Sequence, residues 1–125
     1  MKLSFNSPAI LIFTLVACIV QLITVTIDAS FTARYFTVGG TFDFGRVLDY
    51  WRLFSHVIGH GDWNHLVGNF AIILLIGPIL EEKYGTKNLS IMMFVTALVT
   101  GILNVALWDS GLLGASGIVF MMILL

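Results

Sequence analysis

Four long stretches of this chain carry no Asp, Glu, Lys or Arg: Leu3 to Ile27, His65 to Leu80, Leu89 to Trp108 and Ser110 to Leu125. The first and third are each long enough to cross a hydrocarbon core of about 30 Å at about 1.5 Å per residue. The second is shorter and needs the preceding Trp63-Asn64, or some thinning of the bilayer, to span. The fourth stops with the chain. Only 10% of the 125 residues are charged and 58% are hydrophobic, where a soluble domain carries roughly a quarter charged residues. Lys2 fits the short basic start of a signal peptide, but the run after it is long and Asp28-Ala29-Ser30 is a poor cleavage site. The expectation is an all-α polytopic membrane protein embedded in the lipid bilayer. A net charge of −1 gives no footprint for a nucleic-acid partner. The single cysteine, Cys18, cannot form an internal disulfide and leaves the redox compartment unreadable.

The spacing predicts helix 1 over about 8–27, with Pro8 at its first position and Ser7 able to cap it. Gln21, Thr24 and Asp28 share one face, expected against protein rather than lipid. The first loop, 28–64, holds nine of the sixteen aromatic residues and a Gly39-Gly40 turn signal. Aromatic residues mixed with charges predict a segment lying in the membrane interface. Helix 2 is expected over about 64–80, followed by a tight polar turn at Glu81–Asn88 with Gly85 as the helix stop. Helix 3 is expected over about 89–108. Its Thr96, Thr100 and Asn104 form a polar stripe beside the small pair Ala97 and Gly101, a pattern that lets helices approach closely. Helix 4 starts from about 114. Charge counting leaves the topology open, because Lys2, Lys83 and Lys87 on one side balance Arg34, Arg46 and Arg52 on the other.

Two groups of residues could do chemistry. His65 and Asn69 lie four apart, so they share a helix face, with Gly68 beside them. Both can donate hydrogen bonds. They serve either as a polar pair joining two helices or as donors to a reacting group. Gly114-Ala115-Ser116-Gly117 opens helix 4, where free backbone N–H groups point at whatever binds. Ser116 could be a nucleophile with oxyanion donors beside it, or an N-cap within a small-residue contact. The soluble hydrolase elbow is not matched, because Ile118 stands where its last glycine would be. His56, His60 and His65 are close in sequence, but His65 lies about 140° around a continuous helix from His60. No carboxylate accompanies them in the apolar run, so no metal ligand set is expected, and no cofactor.

Taken together, Trp51-Arg52, Ser55-His56, His60, His65, Asn69, Glu82-Lys83 with Gly85, and Gly114 to Gly117 resemble the rhomboid intramembrane serine proteases in order and spacing. The resemblance runs from about Trp51 to the end of the chain. It implies a rhomboid-like helical bundle, here helices 1–3 plus the start of helix 4 within one incomplete domain, 1–125. It implies Ser116 as nucleophile, with His65 and Asn69 as oxyanion donors joined by the backbone N–H of Ser116. The first loop, with Trp51, Arg52, His56 and His60, is implied to be structural. Transmembrane proteins are the implied substrates. The implied topology puts the N-terminus in the cytoplasm, the first loop outside and the Glu81–Asn88 turn inside. A multi-pass position follows, in the plasma (inner) membrane if the source is bacterial.

The family's general base is a histidine on its sixth helix, and no histidine follows His65 here. Gly117 to Leu125 reaches about 13 Å at about 1.5 Å per residue, less than half a bilayer. The expectation is an N-terminal fragment that is inactive alone, since a serine without a base is a weak nucleophile. Two other classes stay open: a catalytically dead relative that binds transmembrane helices, and a small non-enzymatic membrane subunit. Oligomeric state is not legible.

Overall fold

The computed structural model describes residues 6–39 and 41–125. Lys2, the first residues of the apolar run at Leu3, and Gly40 of the expected glycine turn lie outside the described residues. Among the described residues six helices follow one another: α1 (Pro8–Thr26), α2 (Phe31–Phe36), α3 (Val47–Ser55), α4 (Trp63–Tyr84), α5 (Thr86–Leu107) and α6 (Ser116–Leu124). Among the described residues the only β pairing is an isolated antiparallel bridge between Val38 and Leu112. Among the described residues three helices, α1, α4 and α5, are long and apolar enough to cross a membrane. Their outward faces expose Ile12, Leu75, Ile79 and Leu107, a coat that water penalises and hydrocarbon does not.

The core lies where α1, α4, α5 and α6 meet, around Ile10, Phe70, Ile73, Leu89, Ile118 and Met122. The approach of α1 to α4 is close. A Cβ on Gly77 would stand 2.7 Å from Ile10 Cδ1, and Ile10 is fully buried. Two of the three polar residues expected on one face of α1 turn inward: Gln21 is buried, and Thr24 Oγ1 lies 2.6 Å from Thr32 Oγ1 on α2. Asp28 lies beyond the end of α1 and accepts from Ser30 at the surface, because the helix stops at Thr26 before reaching it.

The polar stretch Glu81–Asn88, expected as a turn, is helical on both sides of Gly85. Gly85 alone breaks the chain, with φ +85, a conformation glycine adopts without steric cost. The extra turn of α4 follows from Glu81, which is buried rather than solvated. Its carboxylate accepts from Ala9 N at 2.9 Å, Ile10 N at 3.1 Å and Thr86 Oγ1 at 2.7 Å. Glu81 thus satisfies the free N–H groups that open α1 and places negative charge at that helix's positive end. Ser7 occupies the cap position but makes no side-chain cap bond, so a residue seventy positions away does the work expected of it.

The first loop is folded. Trp51 stacks edge-on against Phe36 and Phe54, and Phe54 packs at a tilt against Phe94 of α5. Arg52 ties α3 to α2, donating from Nη1 to Asp49 Oδ1 at 2.8 Å and from Nε to the Arg34 carbonyl at 2.8 Å. The small residues of α5 receive this loop rather than another long helix. A Cβ on Gly101 would sit 2.0 Å from the Leu53 carbonyl oxygen, so α3 lies directly on the α5 backbone.

Candidate active site

The chain between α3 and α4, His56 to Asp62, and the turn before α6 form one unit. Asp62 opens α4: its backbone is extended and its side chain accepts from His65 N at 2.8 Å. An aspartate three residues before a histidine is a readable N-cap signal, and this one fixes where the His65 face begins. Gly59 packs so tightly on α2 that a Cβ would lie 2.7 Å from Phe36 Cβ and 2.9 Å from Thr32 Cγ2.

The turn before Ser116 is pinned to that same segment. Gly114 N donates to the His56 carbonyl at 2.7 Å, and Ala115 N donates to His60 Nε2 at 3.1 Å. Gly114 has φ +109, which glycine alone adopts freely. Farther back, Val38 and Leu112 exchange backbone hydrogen bonds at 3.1 and 2.8 Å, tying the turn to the first loop.

His65, Asn69 and Ser116 line one cavity of about 490 Å³, together with His60, Gly61, Asn64, Gly68, Leu113 and Gly114. Ser116 is the first residue of α6, with Ala115 in the cap position and no side-chain cap bond. Ser116 is therefore not acting as an N-cap. Ser116 is exposed and lines the cavity, and among the described residues its backbone N–H meets no acceptor, as expected for the first N–H groups of a helix. The cavity faces of α4 and α6 meet at Gly114, whose ideal Cβ position lies 3.9 Å from Asn69 Nδ2 and 3.8 Å from His60 Cδ2.

The His65 side chain is 75% exposed, with Nδ1 3.9 Å from Asp62 Oδ1. Among the described residues, neither His65 nor Asn69 hydrogen-bonds another helix through its side chain. Polar contacts between helices are made by other residues, among them Thr96 of α5, which donates to Met121 Sδ of α6 at 3.1 Å, while Thr100 Oγ1 of α5 lies 3.4 Å from Nε2 of His56, just beyond α3.

The three histidines go to three separate tasks. His56 is buried, and its Nε2 donates to the Ala97 carbonyl at 2.9 Å. His60 is equally buried, with Nδ1 3.1 Å from the Ile58 carbonyl and Nε2 accepting from Ala115. Burial lowers the pKa of both rings below the usual histidine value. For His60, the Ile58 carbonyl partly opposes that shift and the charge of a protonated His65 adds to it. His60 also lines the cavity, but His65 alone among the three is exposed.

The Rhomboid domain model matches residues 48–125. The rhomboid protease GlpG of Pectobacterium atrosepticum is 35% identical over 78 residues, covering 61% of this chain and 28% of that protein. Rhomboid-like protease 3 of Toxoplasma gondii is 39% identical over 54 residues, covering 43% of this chain and 20% of that protein. The matched segments therefore amount to between a fifth and somewhat over a quarter of these relatives' lengths. With three membrane-length apolar helices, an all-helical bundle and a family match over most of its length, the chain belongs to the rhomboid family of integral membrane proteins.

Proposed function

We propose that this chain carries the nucleophile and the oxyanion-binding half of a rhomboid serine endopeptidase that cleaves transmembrane proteins. The observation that carries the proposal is the shared cavity of Ser116, His65 and Asn69. Ser116 Oγ attacks the scissile carbonyl. The negative charge that then appears on the carbonyl oxygen is met by the His65 ring, the Asn69 amide and the Ser116 backbone N–H. Each such donor is worth about 2.7–4 kcal/mol in the transition state. A helix face beginning with a histidine and an asparagine is thus explained by charge that exists only during reaction.

The base that takes the Ser116 proton is not one of the three histidines in this sequence. His56 and His60 are committed to Ala97 and Ala115, and His65 belongs to the oxyanion side. The family resemblance assigns the base to a histidine on a later helix. It also supports a cytoplasmic N-terminus, with the first loop and the cavity mouth on the outer side.

The test is cleavage of a transmembrane reporter in membranes expressing the native locus, wild type against Ser116→Ala. Cleavage lost in the variant supports the proposal. Cleavage undiminished in the variant overturns it, and a wild type that binds the reporter without cutting it makes the chain a helix-binding relative instead.

A further inference from the structure

The buried ring of His60 has a specific assignment that the reaction scheme leaves unused. Ala115 N is a backbone donor, so His60 Nε2 must accept from it. The group facing Nδ1 is the Ile58 carbonyl, an acceptor, so Nδ1 must carry the proton. Only one of the two neutral tautomers satisfies both partners. The ring is held at its other surfaces as well. Phe70 of α4 meets it edge-on at 5.7 Å between centroids, and a Cβ added to Gly114 would stand 3.8 Å from its Cδ2.

We propose that His60 is a positioning residue for Ser116: its neutral, Nδ1-protonated ring accepts from Ala115 N–H and sets the turn that presents the Ser116 hydroxyl and N–H to the cavity. The proposal rests on Ser116 being the nucleophile, but its geometry is local and can be read without catalysis. Ala115 is fully buried, so water cannot replace His60 as the acceptor, and a buried N–H left alone is costly. The carbonyl of His56 holds the preceding residue through Gly114 N, so the turn is fixed at two successive amides. Only the second of these depends on a side chain that can titrate.

Protonated at Nε2, the ring would present a donor to a donor. The groups that could act on its charge are few. His65 on α4 disfavours the charged ring when it is itself protonated. Asp62 is engaged with the N-terminus of α4, and the segment from Gly114 to Gly117 carries no charge. On α2, the residues facing this loop are Thr32 and Phe36.

The test uses the 125-residue chain, nitrogen-15 labelled, in detergent micelles. The His60 ring should show the Nδ1-protonated tautomer at about pH 7.5, above the ordinary histidine range. Protection of the Ala115 amide against hydrogen exchange should fall about tenfold or more as His60 titrates, and the Ser116 amide resonance should move in step. His60→Phe, which keeps a ring and removes the acceptor, should lose that protection at every pH. His60→Gln, whose Oε1 can take the place of Nε2, should keep it and lose its acid sensitivity. The proposal is overturned by an Nε2-protonated tautomer, by Ala115 protection indifferent to acid, or by a Gln variant no better than Phe. If His60→Phe does not fold, the wild-type titration and the Gln variant still decide. Ser116→Ala should leave the Ala115 readout unchanged, so failure of the reporter assay and failure of this one are separable.

Discussion

Gly101→Ala is the substitution whose consequence the structure fixes most closely. The added methyl would sit 2.0 Å from the Leu53 carbonyl oxygen, 2.9 Å from its carbon and 3.1 Å from Leu53 Cα. A carbon and a carbonyl oxygen in contact rest at about 3.3–3.6 Å, so the shortfall exceeds an ångström. The obstructing atoms are backbone on α3, which cannot rotate away as a side chain would. Relief requires α3 to lift off α5. Overpacking of this kind costs about 1–3 kcal/mol, and a backbone obstacle puts it at the upper end. Alanine returns about 1 kcal/mol of helix propensity, leaving a net loss of about 2 kcal/mol. Gly68→Ala supplies the internal control, since nothing lies within 4 Å of its Cβ position. It should gain about 1 kcal/mol from the same propensity term. Reversible unfolding of both variants in mixed micelles measures the difference, expected at about 3 kcal/mol. Gly101→Ala matching or exceeding Gly68→Ala in stability would refute the claim that α3 rests on the α5 backbone. Lifting α3 should also disturb the site, because the chain leaving α3 carries the His56 carbonyl that holds Gly114.

The other expectations concern the site, the Glu81 end of the bundle and pH. In the reporter assay, His65→Ala and Asn69→Ala should each lower cleavage about 10²–10³-fold while leaving membrane insertion intact. An Asn69→Ala protein that fails only to insert would restore the helix-joining role. Glu81→Gln should destabilise by about 1–2 kcal/mol through loss of charge at the α1 N-terminus, measured as the same unfolding shift. Unchanged stability would mean that Glu81 does not cap α1. His56 and His60 have pKa values below the ordinary 6.5 in the fold, so the unfolded chain binds their protons at higher pH. Their stabilisation is complete above 6.5 and is lost as pH falls from there toward the folded values. Unfolding between about pH 7.5 and about pH 5 should become easier on acidification, in a window where carboxylates of ordinary pKa do not titrate. A rise in stability over that window would contradict the burial of both rings.

The long apolar helices were legible because a run without charge over a membrane's thickness suits a bilayer and little else. Pro8 and Gly85 were legible as boundary residues, since each acts through its own backbone. Glu81 was not legible. Its acidity reads as solvent exposure, and only the fold reveals α1's open N-terminus beside it. The small residues of α5 announced a close approach but not a partner; a stripe of small residues says that something packs there, and here it is the short loop helix α3. His65, Asn69 and Ser116 were legible as candidates through spacing and local geometry. Their meeting in one cavity depends on non-local contacts, the Gly114–His56 and Ala115–His60 hydrogen bonds, which no periodicity encodes. The first loop's two short helices are harder to read for a different reason: at six and nine residues, α2 and α3 are too brief for their apolar spacing to stand out, and they hold by aromatic packing and by Arg52.

These non-local ties divide the molecule in a way that bears on how it works. At one end, a single carboxylate joins the starts of α1 and α5 through three hydrogen bonds. At the other, the Ser116 turn hangs from the first loop by backbone bonds to Val38 and His56 and by one imidazole. The loop in turn rests on α5 through Gly101 and Phe54. The position of Ser116 therefore depends on a surface helix, α3, as much as on the spans beside it. A substitution on α3 that never touches the cavity, such as Arg52→Ala, should then lower reporter cleavage by more than its loss of overall stability accounts for. It would free the end of α2 and, with it, the Val38 pairing that anchors Leu112. Cleavage that tracks stability alone across α3 variants would instead make the loop a passive cover.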